Sequence, residues 1–464
     1  MKGDRSDRKK LLKEAKRLIR FRSVTTESNG AIACYVGRLL KKEHFRVRYQ
    51  TERIGGIPFS NVLGVKGRGK RPLILMTHLD TVPPGPLPLW TKTGKNPWNP
   101  VVEGEKIYGL GSADTKLDIL SKIFASHGIP AELMKHPLWI VGTFGEERGL
   151  LGARVFCKRI KRLGGYAFVS EPSELTWVHE HRGYLVLELS IPLDSVSRRV
   201  LPGQMFELEV TGKSAHSSTP QKGRNAIRLA FDFLEKVSRE DPLLTLLFVE
   251  GGSSPNQVPP LARLMCSTSL KTLPSHPFVK IHKLTKITRP YGTIPWGTLL
   301  ALFDAVDHGV RFRRYPMTSN VGVIQIKKRS LKVLVDFRIH PEDKNREVFL
   351  FFKRLMKKVL GRRKLHASFR IERDGPPLSV SPKSPIVRLA REVSRSVGEP
   401  FRLAKKPSCT EAGYLGEAGI PALVFGPGRS AGNIHAPNEY NELRQLERTK
   451  RLYKALIQRY CLRD

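Results

Sequence analysis

Residues 73–83, LILMTHLDTVP, decide how this chain is read. Leu73 to Met76 make a short apolar run of the kind that forms a fully buried strand, and successive strand side chains point to opposite faces. The run stops at Thr77 and delivers His78 and Asp80, which share a face if the strand persists that far, before Pro83 and Pro84. A buried strand ending in an imidazole and a carboxylate describes either a satisfied ion pair at a strand end or a metal ligand with a neighbour that orients it.

Two more apolar runs end in the same way. PLWIVGTFGEE delivers Glu146 and Glu147, and GYAFVSEP delivers Glu171. Helical periodicity surrounds these runs at residues 8–21, 30–43, 115–126 and 150–162. This alternation predicts an α/β fold with a mostly parallel central sheet and helices on both faces. Ligands of such sheets sit beyond the carboxyl ends of the strands, so three such ends carrying charged or metal-competent side chains point to one shared chemistry.

From about Tyr184 the texture changes. YLVLELSI, MFELEVTG and LKVLVDFRI alternate apolar and polar residues, the period of antiparallel strands with one solvated face, and helical patterns fall at 225–238 and 345–360. We read 184–375 as an inserted α+β domain. After the Pro/Ser-rich crossing DGPPLSVSPKSP the first texture resumes, with a helix at 385–397, a buried strand in PALVFGPG and a closing helix at 442–460. The first domain is therefore 1–183 with 376–464.

Composition bounds the rest. A chain of 464 residues exceeds what one core usually serves, and 40% hydrophobic residues excludes wholesale disorder. No apolar run approaches the length of a membrane helix. The N-terminus, MKGDRSDRKKLLKEAKRLIRF, is charged throughout, without a signal-peptide core; Leu11, Leu12, Ala15, Leu18 and Ile19 instead recur at helical spacing. Cys34, Cys157, Cys266, Cys409 and Cys461 include no C-x-x-C pair, which fits a reducing compartment. A cytoplasmic protein with no membrane partner is expected. The formal charge of +39 raises a nucleic-acid-associated function as one reading. The basic residues are nevertheless dispersed through the chain, and no nucleic acid is expected beyond nonspecific binding.

The motifs together resemble the zinc-dependent amidohydrolase and exopeptidase family of acetylornithine deacetylase, succinyl-diaminopimelate desuccinylase and the aminoacylases (peptidase M20 type). THLDTVP, YGLGSADTK, GTFGEERGLLGA and VSEP are similar to its four successive metal motifs. GKSAHSSTPQKGRNAI is similar to its inserted-domain signature, and FGPGRSAGNIHAPNEY to its last ligand segment. SCTEAGYL is nearest the acetylornithine deacetylase branch. The resemblance implies two divalent ions per subunit, zinc with cobalt or manganese as substitutes, which suits two imidazoles and three carboxylates. It assigns His78 and Glu171 to one ion, Glu147 and His435 to the other, and Asp114 as the bridge. Taken alone, Asp114 could be a helix cap and His435 a loop histidine.

The resemblance also implies roles beyond the ligands. Glu146 would be the general base that later protonates the leaving amine, although an acidic pair at a helix N-terminus is the plainer reading of Glu146 and Glu147. Asp80 would hydrogen-bond His78 and fix its tautomer. His216 would reach a partner subunit's site and stabilise the oxyanion, Arg338 would grip a substrate carboxylate, and Asn256 would lie on the substrate side, with Asn320 in TSNVGVIQ as another candidate. Otherwise His216 is a capping or loop histidine and Arg338 a surface-strand arginine. The inserted domain would serve as lid and dimerisation domain, and a homodimer is expected. The substrate would be an N-acyl amino acid or a short peptide. Glutamate at position 171 is the deacylase-like choice, which ranks a deacylase above a metallo-exopeptidase. Two features depart from the family pattern. Leu117 and Asp118 follow Lys116 where glycines are usual, and the segment ITRPYGTIPWGTLLALFDAV lengthens the inserted domain.

Overall fold

The six residues Leu73–His78 form a strand buried along its whole length at the centre of a nine-stranded mixed sheet. The computed structural model describes residues 2–160, 163–193, 203–284, 294–311, 314–327, 329–362 and 365–462. Leu73–His78 pairs in parallel with Leu138–Thr143 on one side and with Tyr166–Val169 on the other, and Ala422–Val424 continues the parallel set. Outside these four strands the pairing is mostly antiparallel. Ile57–Lys66 runs against Leu138–Thr143, and Arg46–Ile54 folds back on it through Gly55 and Gly56, both at positive φ. At the other side Trp177–His181 runs antiparallel to Ala422–Val424 and carries Leu378–Ser379 and the parallel strand Leu403–Lys406. Parallel neighbours need a crossover, whereas a two-residue turn suffices for a hairpin. The charged sequence RVRYQTERI has no apolar run, and an edge strand does not require one.

Both faces of the sheet are covered. Leu73 and Leu75 belong to one core with Lys2–Arg20, Gly30–Lys42, Asp118–Ala125, Pro385–Ser396 and Leu443–Ile457. Ile74 and Met76, equally buried, point the other way, toward the face covered by Leu151–Cys157 and Ala412–Glu417. In the N-terminal helix Leu11, Ala15, Leu18 and Ile19 are the buried positions, as their spacing requires.

The chain divides into two compact units, Met1–His181 with Leu378–Asp464, and Arg182–Pro377. The second is an eight-stranded sheet whose described pairings are all antiparallel. Alternate residues such as Leu185, Leu187, Leu189 and Ile191 enter one core with three helices, Ala226–Glu240, Trp296–Arg311 and Asn345–Arg362. Of the segment ITRPYGTIPWGTLLALFDAV, residues 287–293 lie outside the described residues, and the helix Trp296–Arg311 takes up most of the rest. Among the described residues no helix is long and apolar enough to cross a membrane, and none of the five cysteines forms a disulfide.

Candidate metal centre

The central strand ends at His78, and the chain then turns so that Asp80 does not continue the pleat. His78 Nδ1 donates to the backbone carbonyl of Asp80 at 3.1 Å. That bond commits Nδ1 as the protonated nitrogen and turns Nε2 toward Asp114 Oδ1, 3.0 Å away. The Asp80 carboxylate is 3.7 Å from the imidazole and accepts instead from the N–H groups of Glu146 and Glu147, at 3.1 and 3.2 Å. Asp80 thus orients His78 chiefly through its carbonyl, while its carboxylate fixes the turn that carries the glutamate pair. This turn follows Leu138–Thr143 through Gly145, at φ 64°, and ends before the helix begins at Leu151. Glu146 and Glu147 are therefore not a helix N-terminal pair.

Asp114 sits between the two histidines. Its Oδ1 faces His78, and its Oδ2 lies 3.1 Å from His435 Nε2, which is also 3.0 Å from Glu147 Oε1. Glu439, which the sequence reading passed over although it lies in NIHAPNEY, holds this loop in place. Its buried carboxylate accepts the backbone N–H groups of Gly111, Ala113 and Asp114 at 3.1, 2.8 and 3.0 Å. His435 has φ 55°, in the left-handed region where histidine is among the better tolerated residues. Asn433 clasps the segment by bonding the carbonyls of Arg429 and Tyr440 and the N–H of Tyr440.

Burial alone would lower the His78 imidazole, but its hydrogen bonds to Asp114 and Asp80 hold it well above its usual value. Bonds to Asp114 and Glu147 push His435 up to about 11. Burial opposes ionisation of Asp114, and the hydrogen bonds from His435 and His78 more than offset it. Glu146 is pushed well above the carboxylate range by burial and then by Glu147. Burial also raises Glu147, against its bond to His435. Carboxylates this crowded favour positive charge beside them, which the two raised imidazoles supply here and a bound cation would supply in their place.

Glu171 follows Tyr166–Val169, and the N–H of the intervening Ser170 bonds the carbonyl of Met76 at 2.9 Å, so Glu171 lies beside the strand end that carries His78. Gly426 passes so close that a Cβ there would stand 2.6 Å from the carbonyl oxygen of Glu171. Glu171 Oε2 is paired with Lys406 Nζ at 2.5 Å. Neither Lys406 nor Glu411 stood out in the sequence; the only signal was their place around SCTEAG. Glu411 is 1% exposed, takes one bond from Thr143 Oγ1 at 3.0 Å and has no partner for Oε1 among the described residues.

Burial pushes the Glu411 carboxyl up to about 7. In the unfolded chain it titrates at about 4.3. Between these values a rising pH removes a proton from the unfolded chain that the folded chain retains, so stability falls until the pH passes about 7. Glu411→Gln removes that penalty. In the metal-free protein it is expected to raise the melting temperature by a few degrees at pH 8, with a clearly smaller gain at pH 5, by calorimetry in chelator. Equal gains at both pH values would mean that the carboxyl titrates normally.

The other unit gathers His216, Asn256 and Arg338. Ser217 N–H bonds the backbone carbonyl of Asn256 at 3.0 Å, and Ser217 Oγ bonds Asp336 and accepts from Arg338 Nε and Nη2 at 3.1 and 2.9 Å. Arg338, only 7% exposed, also holds Asp336 at 2.8 Å, which leaves Nη1 as its uncommitted end among the described residues. It is not a surface-strand arginine. Asn256 is exposed, whereas Asn320 is buried and bonds the carbonyls of Pro255 and Gln257, so Asn320 braces the loop that presents Asn256.

The donor set suits divalent metal. His78, Glu146 and Glu147 form one group with ligand atoms within 4.8 Å of one another, and Asp114, Glu147 and His435 form a second. Imidazoles and carboxylates of this kind, with one carboxylate between two histidines, are donors that could hold two divalent ions. Glu171, held by Lys406, is outside both groups.

The profile of peptidase family M20/M25/M40 matches residues 74–459. The acetylornithine deacetylase of Proteus mirabilis (strain HI4320) is 25% identical over 442 residues, covering 95% of this chain and 92% of that protein. Among solved structures, the aminoacylhistidine dipeptidase from Vibrio alginolyticus has a TM-score of 0.68 at 17% identity, covering 97% of this chain and 96% of that one. The M20 family metallo-carboxypeptidase from Sulfolobus solfataricus has a TM-score of 0.60 at 16% identity, covering 97% and 99%. The structural likenesses speak for the fold, and the profile covers the strands, loops and helices that build the centre. This chain belongs to peptidase family M20/M25/M40.

Proposed function

We propose that the protein hydrolyses the amide bond of an N-acylated amino acid, as a deacylase similar to acetylornithine deacetylase. The observation that carries the proposal is Asp114 poised between His78 and His435 with Glu146 and Glu147 alongside. Metallo-exopeptidase action on a dipeptide or short peptide is the second reading, because the same donor set serves an acyl and a peptidyl amide alike. The sequence relatives favour the first reading and the solved neighbours the second. A nucleic-acid function gains no support from any of them.

In this reading His78 and Glu171 would hold one ion, Glu147 and His435 the other, and Asp114 would be the ligand common to both; zinc would be the ion, with cobalt or manganese as substitutes. When bound, the ions supply Lewis-acid polarisation of the scissile carbonyl and an acidified water. Glu146 takes the proton of the attacking water and returns it to the leaving nitrogen, so that amide and water become carboxylate and amine. Its raised affinity for a proton suits the second half of that task. Residues 1–183 and 376–464 are the catalytic domain, and 184–375 the lid and dimerisation domain of a homodimer. There Arg338 holds the substrate carboxylate through its uncommitted end, His216 donates to the oxyanion, and Asn256 faces the substrate. Free cysteines throughout fit a cytoplasmic enzyme.

The test is a turnover screen of acetyl-, succinyl- and formyl-amino acids against dipeptides, with zinc supplied. At least one acyl-amino acid is expected to be cleaved with a higher kcat/KM than any dipeptide. The reverse order would replace the deacylase by the exopeptidase.

A further inference from the structure

Beneath the candidate centre lies a buried polar cluster that the proposed reaction does not use. Thr77 and Ser170 immediately precede His78 and Glu171, and their hydroxyl oxygens are 2.8 Å apart. The ammonium of Lys122 donates to the carbonyl of Met76 at 2.5 Å, to Thr77 Oγ1 at 2.7 Å and to Ser170 Oγ. All three of its donors are thereby used. Lys122 and Asp118, one turn apart on the same helix, are 0% and 1% exposed and 3.5 Å from each other. Asp118 Oδ2 in turn accepts the hydroxyls of Ser170 at 2.5 Å and of Tyr453 at 2.7 Å. The cluster therefore ties together two adjacent strand ends, the helix that begins four residues after Asp114, and the C-terminal helix Leu443–Ile457.

Net stability is a weak account of it. Burying two charges costs more than packing apolar groups of the same volume, and a well-packed apolar replacement is often neutral or stabilising. Asp118 Oδ1, moreover, has no partner among the described residues. Directed hydrogen bonds instead fix distances, and here they fix how far the strand end carrying His78 stands from the one carrying Glu171.

We propose that Lys122, with Asp118 and Tyr453, is a positioning group of the metal centre, setting the spacing of His78 and Glu171 and so the affinity and coordination geometry of the ion they share. The inference rests on the ligand assignment above. The test is the double variant Asp118→Leu/Lys122→Met, which removes both charges together at similar volume. Its metal-free form is expected to melt within a few degrees of the parent. In cobalt titrations one of the two ions should bind at least about tenfold more weakly, with an altered visible spectrum, while the other is unchanged. Parent affinity and spectrum at both sites would overturn the proposal. Where the double variant fails to fold, Tyr453→Phe removes one hydroxyl alone and should weaken the same ion severalfold; unchanged binding there would overturn it equally. His78→Ala separates the two readings. If it retains both ions, the ligand assignment is wrong; if it loses one while the double variant binds normally, only the positioning role fails.

Discussion

Glu146→Ala is expected to fold normally, keep both metal ions and turn substrate over about 10²–10⁴-fold more slowly. The expectation follows from where the two adjacent glutamates stand. Their N–H groups are held side by side by the two oxygens of Asp80, yet only Glu147 reaches His435, at 3.0 Å. Glu147 is thus tied to the ligand set. Glu146 does not reach His435; it stands beside His78 and Glu147, is raised by burial and then by Glu147, and is the residue to which the proposed function gives the proton transfer. Glu146→Gln keeps the size and hydrogen-bonding of the side chain but cannot take the water's proton, so it should lose as much as the alanine variant. Metal content by elemental analysis and turnover at saturating substrate check both. A variant with parental metal content and near-parental kcat would take Glu146 out of the proton transfer.

His216→Ala is expected to lower kcat by about 10²–10³-fold without changing metal content. His216 Nδ1 accepts from the N–H and the hydroxyl of Ser218, at 3.1 and 2.7 Å. A neutral ring in that setting carries its proton on Nε2 and has one donor to offer. Partial desolvation, and then the neighbouring charge of Arg338, lower its pKa and favour the neutral ring. No proposed metal ligand lies in the 182–377 unit to which His216 belongs. In the homodimer reading His216 serves the partner's centre, and a mixing experiment tests that directly. His216→Ala chains and Glu146→Ala chains are each nearly inactive, but a mixed dimer has one site with an intact Glu146 and a His216 given in trans. Up to about half of the exchanged dimers carry such a site, so activity should return far above either parent variant. If exchange is demonstrated and no activity returns, His216 acts within its own chain or not at all.

Much of the centre was legible because its signals are local. Buried strands announce themselves as short apolar runs, and the residue at which each run ends is a property of neighbours in the chain. That placed His78 at a strand end, and the Glu146–Glu147 pair and Glu171 just beyond two others. The period-two texture likewise separated an antiparallel unit from the first. Asp114 and His435 carried no such signal, since each lies in a loop, and only the resemblance of whole motifs singled them out.

Tertiary structure decided the partners. Glu439 supports the Asp114 loop across 325 residues of sequence, Lys406 reaches Glu171 across 235, and Tyr453 closes on Asp118 across 335. No local period encodes such pairs, because a buried charge is satisfied by whichever polar group the packed elements bring near it. The same holds for Asp80, whose carboxylate turns from His78 to the glutamate turn once the strand ends, and for Arg46–Ile54, whose charges suit a sheet edge that only the assembled sheet defines. By itself the sequence determined which side chains stand at the strand ends, because apolar periodicity is a local property. What those side chains face was decided only when distant segments packed together, because burying charge demands compensation from wherever in the chain it can come.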